Sequence, residues 1–322
     1  MQDEFSFIHQ ITPKRSSQPS LIHGIGDDAA LFAGEDGFEE IVCMDTMVEG
    51  IHFTRQTMSP FDIGYKALAV NVSDIAAMGG MPTYYLVSVA VPQSWGDELK
   101  EVYQGMADLA KAHEMDLIGG DTVSAETAFV LTVTVLGRVE KGRHLLRSSA
   151  KPGDLVFVTG PLGDSAAGLS LLLKNGRAHP FSNDQQKLIR AHQRPVPQVK
   201  AGRILSALST RIALNDVSDG IASEANEIAE ASGVTLVLDY EKLPRSKVLR
   251  TFSTEKQREW VLFGGEDFQL IGTVPETKAR KLEKQFPVTF IGTVEEGEAE
   301  VILKENGQIK RLERKGFNHF DR

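Results

Sequence analysis

Six short stretches of the 322-residue chain place carboxylates beside glycine, serine or threonine. They hold Asp27 and Asp28 after Gly24-Ile25-Gly26, Asp45 before Thr46, Asp74 after Ser73, and Asp121 after Gly119-Gly120. The second half adds Asp216 and Asp219 on either side of Ser218, and Glu266-Asp267 after Gly264-Gly265. Small neighbours let a backbone or a ligand come close. Apolar flanks argue against an ordinary solvated face, and Asp74 falls in an apolar helical stretch where Asp is disfavoured. Clustered carboxylates repel one another, and a divalent cation relieves the repulsion. Hard oxygen ligands of this kind suit Mg²⁺ or Mn²⁺, and Mg²⁺ is held by a few carboxylates together with substrate phosphates. The residues therefore point to a multi-metal phosphate site assembled from distant parts of the chain. Each motif taken singly also has a plain reading as a turn, a strand-end acid or a helix cap.

Other chemistries find less support. There is no G-x-x-x-x-G-K-[ST] and no protein-kinase motif set. Gly24-x-Gly26-x-x-Ala29 superficially resembles a dinucleotide fingerprint, but no convincing strand precedes it and its two Asp would repel a pyrophosphate. No G-x-S-x-G marks a hydrolase nucleophile.

The elements that must position these acids alternate between strands and helices. Strands are expected at 41–44, 85–91, 116–118 leading into Gly119-Gly120, and 129–136, with helices at 60–78 and 97–113. The crowded basic stretch at 141–151 and the Lys-Pro-Gly-Asp turn signal at 151–154 mark a boundary. The expected domains are 1–148 and 149–322. In the second, strands are expected at 155–158, 234–238, 268–274 and 288–291. Its helices are expected at 184–192, 198–208, 221–232 and 275–285, with one capped by Asp164 running to about 173. The fold class is α/β or α+β.

Composition narrows the partners. Lys and Arg total 35 against 44 Asp and Glu, a net charge of −9, which gives no general attraction to nucleic acid or anionic membranes. Cys43 is the single cysteine, so neither a disulfide framework nor a Cys-rich metal site is expected. The opening Met-Gln-Asp-Glu-Phe lacks a basic or apolar leader character, and no apolar run reaches a membrane span. The expected setting is the cytoplasm.

The motifs together resemble the thiamine-monophosphate kinases, relatives of aminoimidazole ribonucleotide synthetase and selenophosphate synthetase. The resemblance rests on the segments 24–30, 45–53, 66–79, 117–122, 149–154, 158–168, 216–220, 264–267 and 315–320, in order. It implies ATP-dependent phosphorylation of thiamine monophosphate to thiamine diphosphate with several Mg²⁺ ions. It also implies a two-domain fold of the aminoimidazole ribonucleotide synthetase type. Two subunits would pair into a homodimer through a barrel-like sheet of their N-terminal domains. By the family pattern Asp28, Asp45, Asp74, Asp121, Asp216 and Asp219 are metal ligands. Tyr103, Gly120, Asp121, Arg147 and Ser218 match ATP contacts, and His52, Glu266 and Phe317 match thiamine contacts. No general base is expected, because a phosphate acceptor is already ionised. Cys43 and Met44 stand where relatives often carry a hydroxyl, and Asn318 where they often carry Asp; these departures bear on the number of metals. A related ATP-dependent synthetase for another small acceptor, or a non-catalytic metal- or nucleotide-binding protein, are the alternatives.

Overall fold

The computed structural model describes residues 19–34, 37–208 and 211–315; Phe317 and Asn318 lie outside the described residues. The first sheet contains β1 (Leu21–His23), β2 (Ala30–Ala33), β3 (Phe38–Val48), β4 (Met81–Val91), β5 (Asp116–Ser124) and β6 (Val130–Glu140). Their order is β1-β2-β3-β6-β4-β5, and the pairings are antiparallel except for parallel β4–β5. One face is covered by α1 (Pro60–Ala77) and α2 (Leu99–Ala112). α1 begins at a capping box: the Ser59 hydroxyl accepts from the Asp62 N–H while the Asp62 carboxylate accepts from the Ser59 N–H. The two helices press closely together at Gly105, where a Cβ would lie 1.9 Å from the Phe61 carbonyl oxygen.

The second sheet contains β7 (Asp154–Val158), β8 (Ala213–Asp216), β9 (Thr235–Asp239), β10 (Leu270–Pro275), β11 (Thr289–Glu295), β12 (Glu300–Glu305) and β13 (Gln308–Arg311). Their order is β13-β12-β9-β11-β7-β10-β8, antiparallel except for β9–β12. Around it lie α3 (Asp164–Asn175), α4 (Asn183–Gln193), α5 (Val199–Leu208), α6 (Ile221–Ser232), α7 (Thr254–Phe263) and α8 (Glu276–Glu283). Each sheet has its own apolar core, and a third cluster with Ala77, Leu145, Leu205 and Leu214 joins the two halves. α1 therefore packs on the first sheet and also meets α5 and β8 of the second half. Among the described residues no helix is long and apolar enough to cross a membrane.

Three local readings need correction. Gly119 and Gly120 do not end a strand but lie inside β5, every residue of which is exposed, so no burial alternation marks it. Gly120 sits at φ +156°, where a Cβ would lie 2.0 Å from the Val87 carbonyl oxygen. Strand β1 does precede Gly24, but strand β2 follows, so the helix N-terminus of a dinucleotide site is missing there. Asp164 does not cap α3: Gly163 is the cap residue, and Asp164 accepts from the Ser246 hydroxyl at 2.7 Å. The α3 amides are met instead by Asp267, which accepts from Gly163 N at 2.6 Å and Ser165 N at 3.1 Å. Five strands were not read from pattern: β1, β2 and β8 have only three or four residues, β13 is wholly exposed, and β12, which does alternate with Val301 and Leu303 buried, was missed.

Candidate active site

A cleft of about 790 Å³ runs between the two halves, with Asp45, His52, Asp74, Arg147, Ser218, Asp219 and Glu266 in its walls. Strand period sets one wall. Along β3 the buried Ile41, Cys43 and Met47 alternate onto the face packed with α1, and Asp45 belongs to the same face. Helix period sets the other: Lys66, Val70 and Asp74 recur every four residues on one stripe of α1. Asp216 ends β8 opposite Leu270, and Asp28 lies in the turn between β1 and β2.

These placements bring Asp28, Asp74 and Asp216 together, with one carboxylate oxygen of each within 4.8 Å of the others. Asp45 adjoins them, close enough to Asp74 for each carboxyl to act on the other's charge. Ser73 donates to Asp216 Oδ2 at 2.5 Å. Burial first, and then mutual repulsion, push the carboxyl pKa values up. Asp28 rises to about 7, against the pull of Arg147. Asp216 rises to about 8, with Asp28 adding to the burial effect. Asp74 rises well above the usual range through burial and then Asp45 and Asp216. Asp28 Oδ2 is buried without a hydrogen-bond partner. A concave group of oxygens that repel each other and leave a lone pair unmet fits a hard divalent cation.

Arg147 is the counter-charge of this end. Its guanidinium meets Asp28 Oδ1 at 2.6 Å and Glu227 Oε2 at 2.9 Å, and donates from Nε to Asn215 Oδ1 at 3.2 Å. Its backbone N–H donates to Asp27 Oδ2 at 3.0 Å. Glu224, buried in the first turn of α6, organises the 216–219 loop: it accepts from Asp219 N at 2.9 Å and from the Ser218 hydroxyl at 3.3 Å. Burial, then Glu227 and Asp219, raise its pKa well above normal. Asp219 thus lines the cleft beside Glu224, outside the three-carboxylate group.

At the other end of the cleft Glu266 follows Gly265 with φ +66°, rare for a residue with a side chain. Its Oε1 meets Lys66 Nζ at 2.7 Å and its Oε2 meets His192 Nδ1 at 3.2 Å. Burial alone would raise the Glu266 pKa, but Lys66 and His192 outweigh it and hold the carboxyl below the usual range. His52 lines the same cleft, its Nδ1 accepting from the Val48 N–H at 3.0 Å.

Tyr103, Gly120 and Asp121 are not gathered with the rest. They border a separate pocket of about 360 Å³ against β5, and Asp121 is exposed. Cys43 is buried and its thiol donates to the Asn71 carbonyl at 3.3 Å, while Met44 is exposed. Sequence reasoning missed Lys66, Ser73, His192, Asn215, Glu224 and Glu227. A lysine inside the Ala-rich α1 and two acids three apart in the small-residue α6 are the signals that mark the first and the last pair.

The family model described as AIR synthase related protein, N-terminal domain, matches residues 26–139, and that of the C-terminal domain matches 151–304. The chain is 53% identical over 325 residues to a thiamine-monophosphate kinase of Bacillus subtilis (strain 168), with 99% of each covered. It is 37% identical over 324 residues to that of Escherichia coli (strain K12), with 98% of each covered. It superposes on the solved complex of AaThiL with AMPPCP and TMP at a TM-score of 0.85 and 33% identity, covering 99% of this chain and 97% of that one.

Proposed function

The chain belongs to the thiamine-monophosphate kinase family of AIR synthase related proteins, and from that premise we propose that it transfers the γ-phosphoryl group of ATP to thiamine monophosphate, yielding thiamine diphosphate and ADP. The observation that carries this reading is the convergence of Asp28, Asp74 and Asp216, of which Asp74 lines a cleft shared with Arg147 and, at its other end, Glu266. Lys66 and Asp74 are eight residues apart on one stripe of α1, about 12 Å along the helix. That span separates an acid-rich end suited to phosphates from an end suited to the organic ring.

The acceptor phosphate is ionised, so the obstacle is repulsion between two polyanions rather than proton removal. Mg²⁺, held by Asp28, Asp74 and Asp216 with Asp45 and Asp219 beside them, would neutralise that charge when bound. Arg147 offers a planar, permanently charged fork for a phosphate. The carboxylates that now share Arg147 keep it preordered at the mouth of the cluster. Ser218 and the loop tied to Glu224 form the floor, and His52 and Glu266 receive the thiamine moiety. The cleft walls fix the two substrates for in-line approach, so positioning and electrostatics supply the acceleration.

Asp121, with Gly120 and Tyr103, sits on the edge strand β5. Leu117 (45%), Ile118 (53%) and Val123 (49%) are exposed there, which supports pairing of two chains through this edge into a homodimer. In that assembly Tyr103, Gly120 and Asp121 would join a nucleotide site. The domains divide near 148, the setting is cytoplasmic, and neither nucleic acid nor membrane is a partner.

The test is product analysis with ATP, Mg²⁺ and a panel of acceptors. Thiamine monophosphate should be the acceptor that yields ADP and a diphosphate product in equal amounts. ATP turnover that is indifferent to thiamine monophosphate and responds to another acceptor would support the synthetase alternative instead.

A further inference from the structure

Lys66, His192 and Glu266 come from three separate elements: α1, α4 and the turn between α7 and β10. Lys66 and His192 are buried, at 0% and 1% exposure, whereas the Glu266 side chain keeps 32% of its surface, open to the cleft. Each side chain takes one carboxylate oxygen, the Lys66 ammonium at 2.7 Å and the His192 ring at 3.2 Å. The Ser165 hydroxyl lies 3.3 Å from His192 Nδ1, tying that ring to α3. The backbone of Glu266 is also pinned: its N–H donates to the Ser218 carbonyl at 2.6 Å in the left-handed conformation.

Withdrawing an ammonium from water costs several kcal/mol, and apolar residues of similar volume usually serve a core at least as well. The arrangement is therefore poorly explained by stability. It is well explained by preorganisation: a carboxylate fixed from behind still has lone pairs facing the cleft and loses little rotamer freedom on binding.

We propose that Lys66 and His192 are positioning residues that hold the Glu266 carboxylate in a single orientation, so that it receives the cationic, amino-bearing ring end of the phosphate acceptor. The inference rests on the kinase reading given above. It assigns acceptor recognition to a buried triad built across three elements, with neither Lys66 nor His192 touching phosphate.

The experiment compares wild type, Lys66→Met, His192→Gln, Glu266→Gln and the double variant Lys66→Met/Glu266→Gln in steady-state assays at saturating Mg²⁺. Lys66→Met should raise KM for thiamine monophosphate about tenfold and leave KM for ATP within about twofold, with His192→Gln following the same pattern more weakly. The double variant should be no worse than Glu266→Gln, because Lys66 acts only through that carboxylate. It also removes the buried charges together, so it should fold even if Lys66→Met alone does not. Unchanged KM for the acceptor in Lys66→Met, parallel losses for both substrates, or multiplying effects in the double variant would each overturn the proposal. A wild-type protein that does not phosphorylate thiamine monophosphate overturns the kinase reading itself; a wild type that does, with variants like it, overturns only the triad.

Discussion

Replacing Asp74 by Asn should destroy the activity and, in ion-free buffer, make the protein more stable. Three carboxylate oxygens lie within 4.8 Å of one another. At that separation two full charges repel by about 3.5 kcal/mol at an effective dielectric of about 20. Asp74 faces such a partner on two sides, Asp28 and Asp216, and its raised pKa shows that the group relieves itself in part by keeping protons. Asn keeps the shape, has a similar helix propensity, and offers an N–H₂ to Asp45 where the acid had to share a proton. With partial protonation already absorbing some of the repulsion, a gain of about 2 kcal/mol is expected. For a chain of 322 residues, with about 2.1 cal/mol/K of unfolding entropy per residue, that corresponds to a rise of about 3 °C in Tm. Differential scanning fluorimetry after chelation gives the first quantity and product formation gives the second. A variant less stable than wild type in ion-free buffer, or one with near-normal turnover, would refute the account of Asp74 as a ligand held against repulsion.

Stability should also depend on pH in a way that Mg²⁺ cancels. Asp28 and Asp216, with folded pKa values of about 7 and 8 against an ordinary 3.8, bind protons in the folded state that the unfolded chain has released. Stability contributed this way is greatest below the unfolded pKa and falls as pH rises through the folded values. His23, His113 and His192, all lowered from 6.5 chiefly by burial, act in the opposite sense below pH 7, and Lys66, lowered from 10.5 by burial, opposes the fall on the alkaline side, so the carboxyl groups are best read from about pH 7 to 9. Ion-free Tm should fall across it, and saturating Mg²⁺ should make the fall shallower, leaving the part due to Asp267, which is raised to about 7 by burial outside the cluster; a Tm that rises from pH 7 to 9 without metal would contradict this. Leu117→Asp on the exposed edge strand should convert a dimer to a monomer in analytical ultracentrifugation, and an unchanged mass would argue for another interface. Gly120→Ala, whose Cβ would meet the Val87 carbonyl at 2.0 Å, should loosen β5 and raise amide exchange there; native-like protection would show that the strand accommodates it.

The acids were legible because each is chemically out of place: Asp74 in an apolar helical stretch, Asp216 and Asp219 on either side of Ser218, Asp28 among small residues. Their convergence was not, since it depends on α1 spanning both halves of the chain. The supporting residues show why a single sequence stops short. Glu224 and Glu227 read as ordinary helix acids until Asn215, Arg147 and Arg314 are seen to meet them. Lys66 reads as a solvated lysine until it is found buried against Glu266. Asp164 carried every mark of a helix cap, yet Asp267, 104 residues from Gly163, supplies that function through the fold. The position of Asp121 on a fully exposed strand likewise follows from sheet order, which local pattern does not encode.

The central claim is transfer of one phosphoryl group onto an existing phosphate. It is tested most directly with ATP labelled only in its γ-phosphoryl group, mixed with Mg²⁺, thiamine monophosphate and the purified chain. The label should appear in the terminal phosphate of thiamine diphosphate, one for each ADP formed, and removal of Mg²⁺ should stop it. Label released as inorganic phosphate at the same rate with or without thiamine monophosphate would contradict the account.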